Sequence, residues 1–143
     1  MTGGSWSAYW YNGVIVSSEI ARGLDIFELL PSAFVSANEL AAAKSVHFDY
    51  LNAQGQPHLS WPASFSVVRS YVDQLARGNG MAADKIAAIR ADLDRAEQQS
   101  GPARKTTLSA LSTRVSGDAT SATDSARARA LVSEIDRLAA VTQ

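Results

Sequence analysis

The sequence predicts an α+β chain, with a small N-terminal antiparallel β-meander followed by a mainly α-helical bundle. Three observations carry this. The apolar pattern passes from period two to helical spacing near Trp61-Pro62. All three tryptophans lie at or before that point, and Phe65 and Tyr71 are the only aromatic residues beyond it. An Asn12-Gly13 pair stands between two β-forming runs, which is the strongest local hairpin signal in the chain. The divisions that follow are residues 1–31 for the meander, 32–62 for a capped helix and connecting loop, and 63–143 for an antiparallel helical bundle.

The first strand is expected over Trp6-Ser7-Ala8-Tyr9-Trp10-Tyr11, rich in aromatic β-formers, and the second begins with the β-branched Val14-Ile15-Val16. Asn12 and Gly13 both tolerate the positive φ that a type I′ turn demands, and that turn matches the twist of a right-handed hairpin. A third strand is expected over Leu24–Leu29, entered through a bend at Gly23 and stopped by Pro31, which cannot donate to a ladder. Tyr9, Tyr11 and Trp6 are expected on one face of the first strand, and Trp10 with Ala8 on the other. A three-stranded sheet is marginal without another layer. Either the helical half covers one face, or the meander is the remaining edge of a larger sheet. The second is taken as its origin and the first as a partial remedy.

Ser36-Ala37-Asn38-Glu39 is a capping box, and Val35 with Leu40 supplies the matching hydrophobic staple, so a helix is expected to about Lys44 or Val46. A polar loop over residues 52–57 leads to Trp61-Pro62. The next helix is expected from Ala63 to Arg77, with Phe65, Val68, Val72 and Leu75 on one face, ended by left-handed geometry in Gly78-Asn79-Gly80. Ile86, Ile89, Leu93 and Ala96 mark a helix from Ala82 to Gln99. After Ser100-Gly101-Pro102, the stripe Leu108, Leu111 and Val115 marks another that closes at Gly117. Residues 121–124 start the last, with Leu131, Ile135 and Leu138 inward and Val132 and Val141 nearby. Links this short make neighbouring helices antiparallel.

Composition narrows the function. Thirteen Lys and Arg against fourteen Asp and Glu give a net charge of -1, so no charge argument favours nucleic acid or an anionic membrane. The chain has no cysteine, which excludes disulfides, thiolate metal sites and cysteine nucleophiles. No apolar run approaches the ~20 residues of a membrane helix, and no basic-then-apolar signal peptide opens the chain. No membrane insertion is expected.

The chemistry-bearing residues do not assemble into a site. His47, His58 and Asp49 are the one conceivable ligand group for a metal, and zinc needs three or four converging ligands. The simpler expectation puts His47 at the core border near Phe48 and His58 in a solvated loop, with no metal and no cofactor. No Gly-x-Ser-x-Gly elbow is present. Asp92 and Asp94, two apart on a helix, point away from each other and are expected to pair with Arg90 and Arg95. Arg104, Lys105, Arg114, Arg127 and Arg129 are interleaved with acids and lack a neighbouring aromatic residue for base stacking, so no nucleic-acid partner is expected. No catalytic residue is assigned, and the chain is read as not an enzyme. Trp6, Tyr9, Trp10 and Tyr11 are the candidate interaction residues, because aromatic side chains dominate binding hot spots. The open edge of the meander is expected to pair with a protein partner or with a second copy.

The run from Trp6 to Leu29, in which a tyrosine- and tryptophan-rich strand is followed by Gly23-Leu24-Asp25-Ile26-Phe27, resembles the final repeat of LVIVD-type β-propeller proteins. The stretch from Ser36 through Trp61-Pro62 and the alanine-rich helices beyond it resemble the C-terminal extension of bacterial secreted members. The chain supplies less than one full blade of such a ring. The resemblance implies a non-catalytic structural or protein-interaction module on a secreted or cell-surface propeller, with Met1 marking a truncated reading frame or a fragment. The alternative it leaves open is a piece of a ligand-binding or hydrolytic propeller protein whose channel lies in upstream blades.

Overall fold

The computed structural model describes residues 3–55 and 57–142; Met1, Thr2, Gln56 (in the expected polar loop) and Gln143 lie outside the described residues. The fold is α+β, a three-stranded antiparallel sheet followed by helices. The chain divides into two compact units, Met1–Pro62 and Ala63–Gln143. The meander and the segment 32–62 therefore share one unit, and no unit boundary separates them.

In the first unit, β1 (Ser5–Tyr11), β2 (Val14–Glu19) and β3 (Gly23–Phe27) lie in the order β1-β2-β3. Asn12 has φ 46° and Gly13 φ 93°, the two positive values that a type I′ turn requires. Tyr9 pairs with Val16, which pairs with Ile26 across the sheet; Trp10 pairs with Ile15, which pairs with Phe27. Tyr9 and Tyr11 thus share a face with Val16 and Ile26, and Trp10 and Ala8 share the other with Ile15 and Phe27. Trp6 does not follow this alternation. The register shifts between Ser5 and Ser7, leaving Trp6 in a β-bulge. β3 ends at Phe27, opposite Ile15, rather than at Leu29, whose place in the register falls opposite Gly13 of the turn, beyond β2. Glu28 accepts from Lys44 Nζ at 2.8 Å.

Helix α1 (Ala37–Lys44) opens with the capping box in full. Ser36 Oγ accepts from the Glu39 amide at 3.1 Å, and Glu39 Oε2 accepts from the Ser36 amide at 2.6 Å. Leu40 of the expected staple is buried. A 3-10 turn, Ala53–Gly55, lies in the loop beyond.

The second unit contains α2 (Phe65–Arg77), α3 (Ala83–Glu97), α4 (Gly101–Ala119) and α5 (Ser125–Val141). They pack as a ring in which α2 touches α3 and α5, and α4 touches α3 and α5. Helix ends meet in antiparallel fashion: Arg69 near the start of α2 bonds Asp94 and Glu97 near the end of α3, and Lys85 near the start of α3 bonds Asp118 near the end of α4. Every predicted stripe residue from Phe65 to Leu138 is buried, apart from the partly buried Phe65. Val141 is not; it is exposed in the last turn of α5.

Three local expectations need correction. α2 begins at Phe65, because Ser64 takes the cap and accepts from the Val67 amide at 3.3 Å. After α2 only Asn79 is left-handed, with φ 50°. Gly80 is required by space instead: a Cβ there would lie 2.9 Å from Leu75 Cδ2 and 3.0 Å from Asp124 Cβ. α4 runs through Gly117 to Ala119, since glycine inside a last turn costs about 1 kcal/mol but does not break a packed helix.

Two outcomes follow for this unit. Gly80→Ala should destabilise the bundle by about 1–3 kcal/mol, the usual cost of overpacking a core, because Leu75 is fully buried and cannot swing away. Chemical denaturation followed by helical circular dichroism measures it. Residues 63–143 expressed alone should remain helical by the same method; a random-coil spectrum would show that the bundle depends on the first unit.

Candidate functional site

The first unit carries the surface chemistry of interest, and one side chain organises it. Asn12 donates from Nδ2 to the Phe48 carbonyl at 2.9 Å and accepts at Oδ1 from the Phe48 amide at 2.8 Å. A turn residue thereby imitates a paired backbone and holds the segment after α1 against the hairpin tip. Tyr11 adds its hydroxyl, which donates to the same carbonyl at 3.0 Å.

Two concavities result. On the Trp10 side, Trp10, Ala43, Val46, Phe48, Leu59 and Trp61 surround a small apolar cavity of about 90 Å³. On the opposite face, Tyr9, Tyr11 and Val16 form one wall of an open groove of about 530 Å³. Residues 49–54 form the other, with Asp49, Tyr50, Asn52 and Gln54 among them.

The four candidate aromatics therefore do not make one patch. Trp6 is 78% exposed at the bulge. Tyr9 is 48% exposed and lines the groove. Tyr11 is half-buried there with its hydroxyl committed to Phe48. Trp10 is half-buried against its own unit. Sequence reasoning missed Tyr50, Asn52 and Gln54. The signal was available in Asn12, an amide able to tie a distant segment, but its partner is 36 residues away.

The histidines take other places. His47 is exposed rather than at a core border, because residues 46–48 form no strand and it is Phe48 whose backbone Asn12 holds. His58 is exposed as well, and among the described residues no three His, Cys, Asp or Glu side chains converge as metal ligands. In the bundle, Asp92 pairs with Arg95 at 2.6 Å and with Arg114, and Asp94 pairs with Arg69 at 2.8 Å. Arg90 reaches Asp73 at 2.9 Å instead, since the two aspartates face different neighbouring helices. Arg104 does have an aromatic neighbour: its guanidinium lies 5.6 Å from the Phe65 ring centroid, a cation–π contact, and it also donates to the Ala96 carbonyl. No described helix is long and apolar enough to cross a membrane.

The corner between β2 and β3 is held by a carboxylate. Glu19 is buried and accepts from the amides of Arg22 at 2.6 Å, Gly4 at 2.9 Å and Ala21 at 2.7 Å. These bonds, the Arg22 amide foremost and then Gly4, hold its carboxyl below the usual glutamate range against the opposing effect of desolvation.

Two measurements test these devices. Asn12→Gly keeps a residue suited to positive φ but deletes the Phe48 tether, and should loosen the unit by about 1–3 kcal/mol, seen as faster amide exchange at Phe48 with the hairpin retained. Because Glu19 is more acidic folded than unfolded, its contribution is fully present above the ordinary carboxylate range. It is lost as pH falls through the lowered value. Exchange at Ala21 and Arg22 should rise in that acid step, and Glu19→Gln should abolish the step. Against protein-family models, curated proteins and solved structures alike, the chain has no match.

Proposed function

We propose that the chain is a non-catalytic interaction module whose meander is a blade-like piece of sheet, completed by a strand from a neighbour. The helical unit is its appended extension. This accords with the likeness of residues 6–29 to the last repeat of an LVIVD-type propeller, and with it an extracytoplasmic setting. The observation that carries the proposal is the β3 edge. β3 has β2 on one side and no strand on the other among the described residues, and its Leu24, Ile26 and Phe27 are 59%, 63% and 51% exposed. A regular edge with apolar side chains on both faces templates further pairing. The β1 edge is interrupted by the bulge at Trp6, a common device against pairing.

The chain at high micromolar concentration should therefore associate through β3, and multi-angle light scattering should report dimers or larger species. Leu24→Lys should weaken that association tenfold or more, since a charged residue on an edge opposes pairing. A clean monomer across the whole concentration range would sink the proposal.

A further inference from the structure

We propose that the groove between Tyr9, Tyr11 and residues 49–54 is a binding site for a neutral saccharide. Its size, about 530 Å³, falls within the ~300–1,000 Å³ of small-ligand sites. Its chemistry selects among ligands. No Lys, Arg or His lines it, so phosphate, sulfate and nucleic acid find no counter-charge there; the single formal charge on its walls is Asp49. A small quaternary ammonium would leave most of that volume empty. A peptide that adds as a β-strand needs an open strand edge, and the wall of this groove includes Val16 of the central strand, which is paired on both sides.

A sugar ring presents an apolar C–H face and a rim of hydroxyls that both donate and accept, and the groove offers both counterparts. The Tyr11 ring is fixed as a platform, because its hydroxyl is bound to Phe48. Tyr50, 80% exposed, stands on the opposite wall. The negative π face of tyrosine attracts the weakly positive C–H face of a pyranose. Around these rings, the Tyr9 and Tyr50 hydroxyls, the Asp49 carboxylate and the Gln54 side-chain carboxamide have no hydrogen-bond or ion-pair partner among the described residues. They supply donors and acceptors to ligand hydroxyls. The Asn52 side-chain Oδ1 is occupied, accepting from the Gln54 backbone N–H at 3.0 Å and so shaping that wall.

The full chain screened on an array of neutral glycans should bind at least one. A soluble form of that glycan, titrated against the ¹⁵N-labelled chain, should then shift the resonances of Tyr9, Tyr11 and residues 49–54. Tyr50→Ala should weaken binding tenfold or more, and Asp49→Asn several-fold. Both side chains are exposed, and unchanged circular dichroism will show that the fold is kept. Leu24→Lys, which acts on the β3 edge, should leave glycan affinity unaltered, so this proposal and the pairing proposal fail independently. Absence of any neutral-glycan binding, binding only of charged glycans, displacement of the glycan by tetramethylammonium alone, or full affinity in Tyr50→Ala would each overturn it.

Discussion

The first unit depends on the tether between Asn12 and Phe48. Three strands are too few to be stable by themselves in water, and what a small sheet lacks is a second layer and a reason for that layer to stay. Asn12 provides the reason at the hairpin tip, where backbone pairing from β1 and β2 has ended. Its amide fills both bonds of Phe48, and its positive φ closes the turn with Gly13. Nearby, the Lys44 side chain crosses Gly13 so closely that a Cβ there would lie 3.2 Å from Lys44 Cγ, while its ammonium reaches Glu28. The end of α1 and the segment after it are thereby fixed to the hairpin tip and to the residue that follows β3. The apolar cavity beside Trp10 and the groove beside Tyr9 are the spaces this attachment leaves.

The two units handle apolar surface in opposite ways. The helical unit buries leucine, isoleucine and valine from four helices in one continuous core, with Ala96, Ala128 and Ala139 letting helices approach closely. Its ion pairs lie at the surface, where each contributes about 0–1 kcal/mol, so packing supplies the stability and the charges orient neighbours. In the sheet unit, the sole buried large apolar side chain among the described residues is Leu40. Aromatic and aliphatic groups on β1, β3 and the segment after it remain in contact with solvent. Such a distribution is poor design for a unit whose only task is to fold, and it accords with the binding role proposed for it.

Much of this was legible in the residues. Asn12-Gly13, the Ser36–Glu39 box and the helical stripes are local signals, each complete within a few positions, and each appears where the spacing put it. What was not legible depends on partners distant in the chain. Nothing local says that β3 must stop short of Leu29; that follows from where β2 begins. Gly80 reads as a helix cap, yet its constraint is Asp124 across the bundle. Met81 enters the core from the link before α3, outside any periodic stripe. The groove is the clearest case, since Tyr9 and Tyr11 are visible as a pair, whereas Tyr50 joins them only after Asn12 has bound Phe48.

Glu19 connects these features to the proposed edge pairing. An edge strand templates pairing only if it is already ordered, because a fluctuating segment must lose backbone entropy of about 1–2 kcal/mol per residue before it gains a ladder bond. β3 is five residues long and has a partner on one side only. Its entry turn is fixed by the Glu19 carboxylate, which gathers the Ala21 and Arg22 amides, and Arg22 in turn bonds Asp25 within β3 at 2.7 Å. The same carboxylate takes the amide of Gly4, just before β1. One buried charge thus orders the start of β1 and the β2–β3 corner, at the end of the sheet away from the Asn12 tether. With both ends fixed, the cost of ordering β3 falls on the folding of the unit itself, and an incoming strand meets an edge already in extended form.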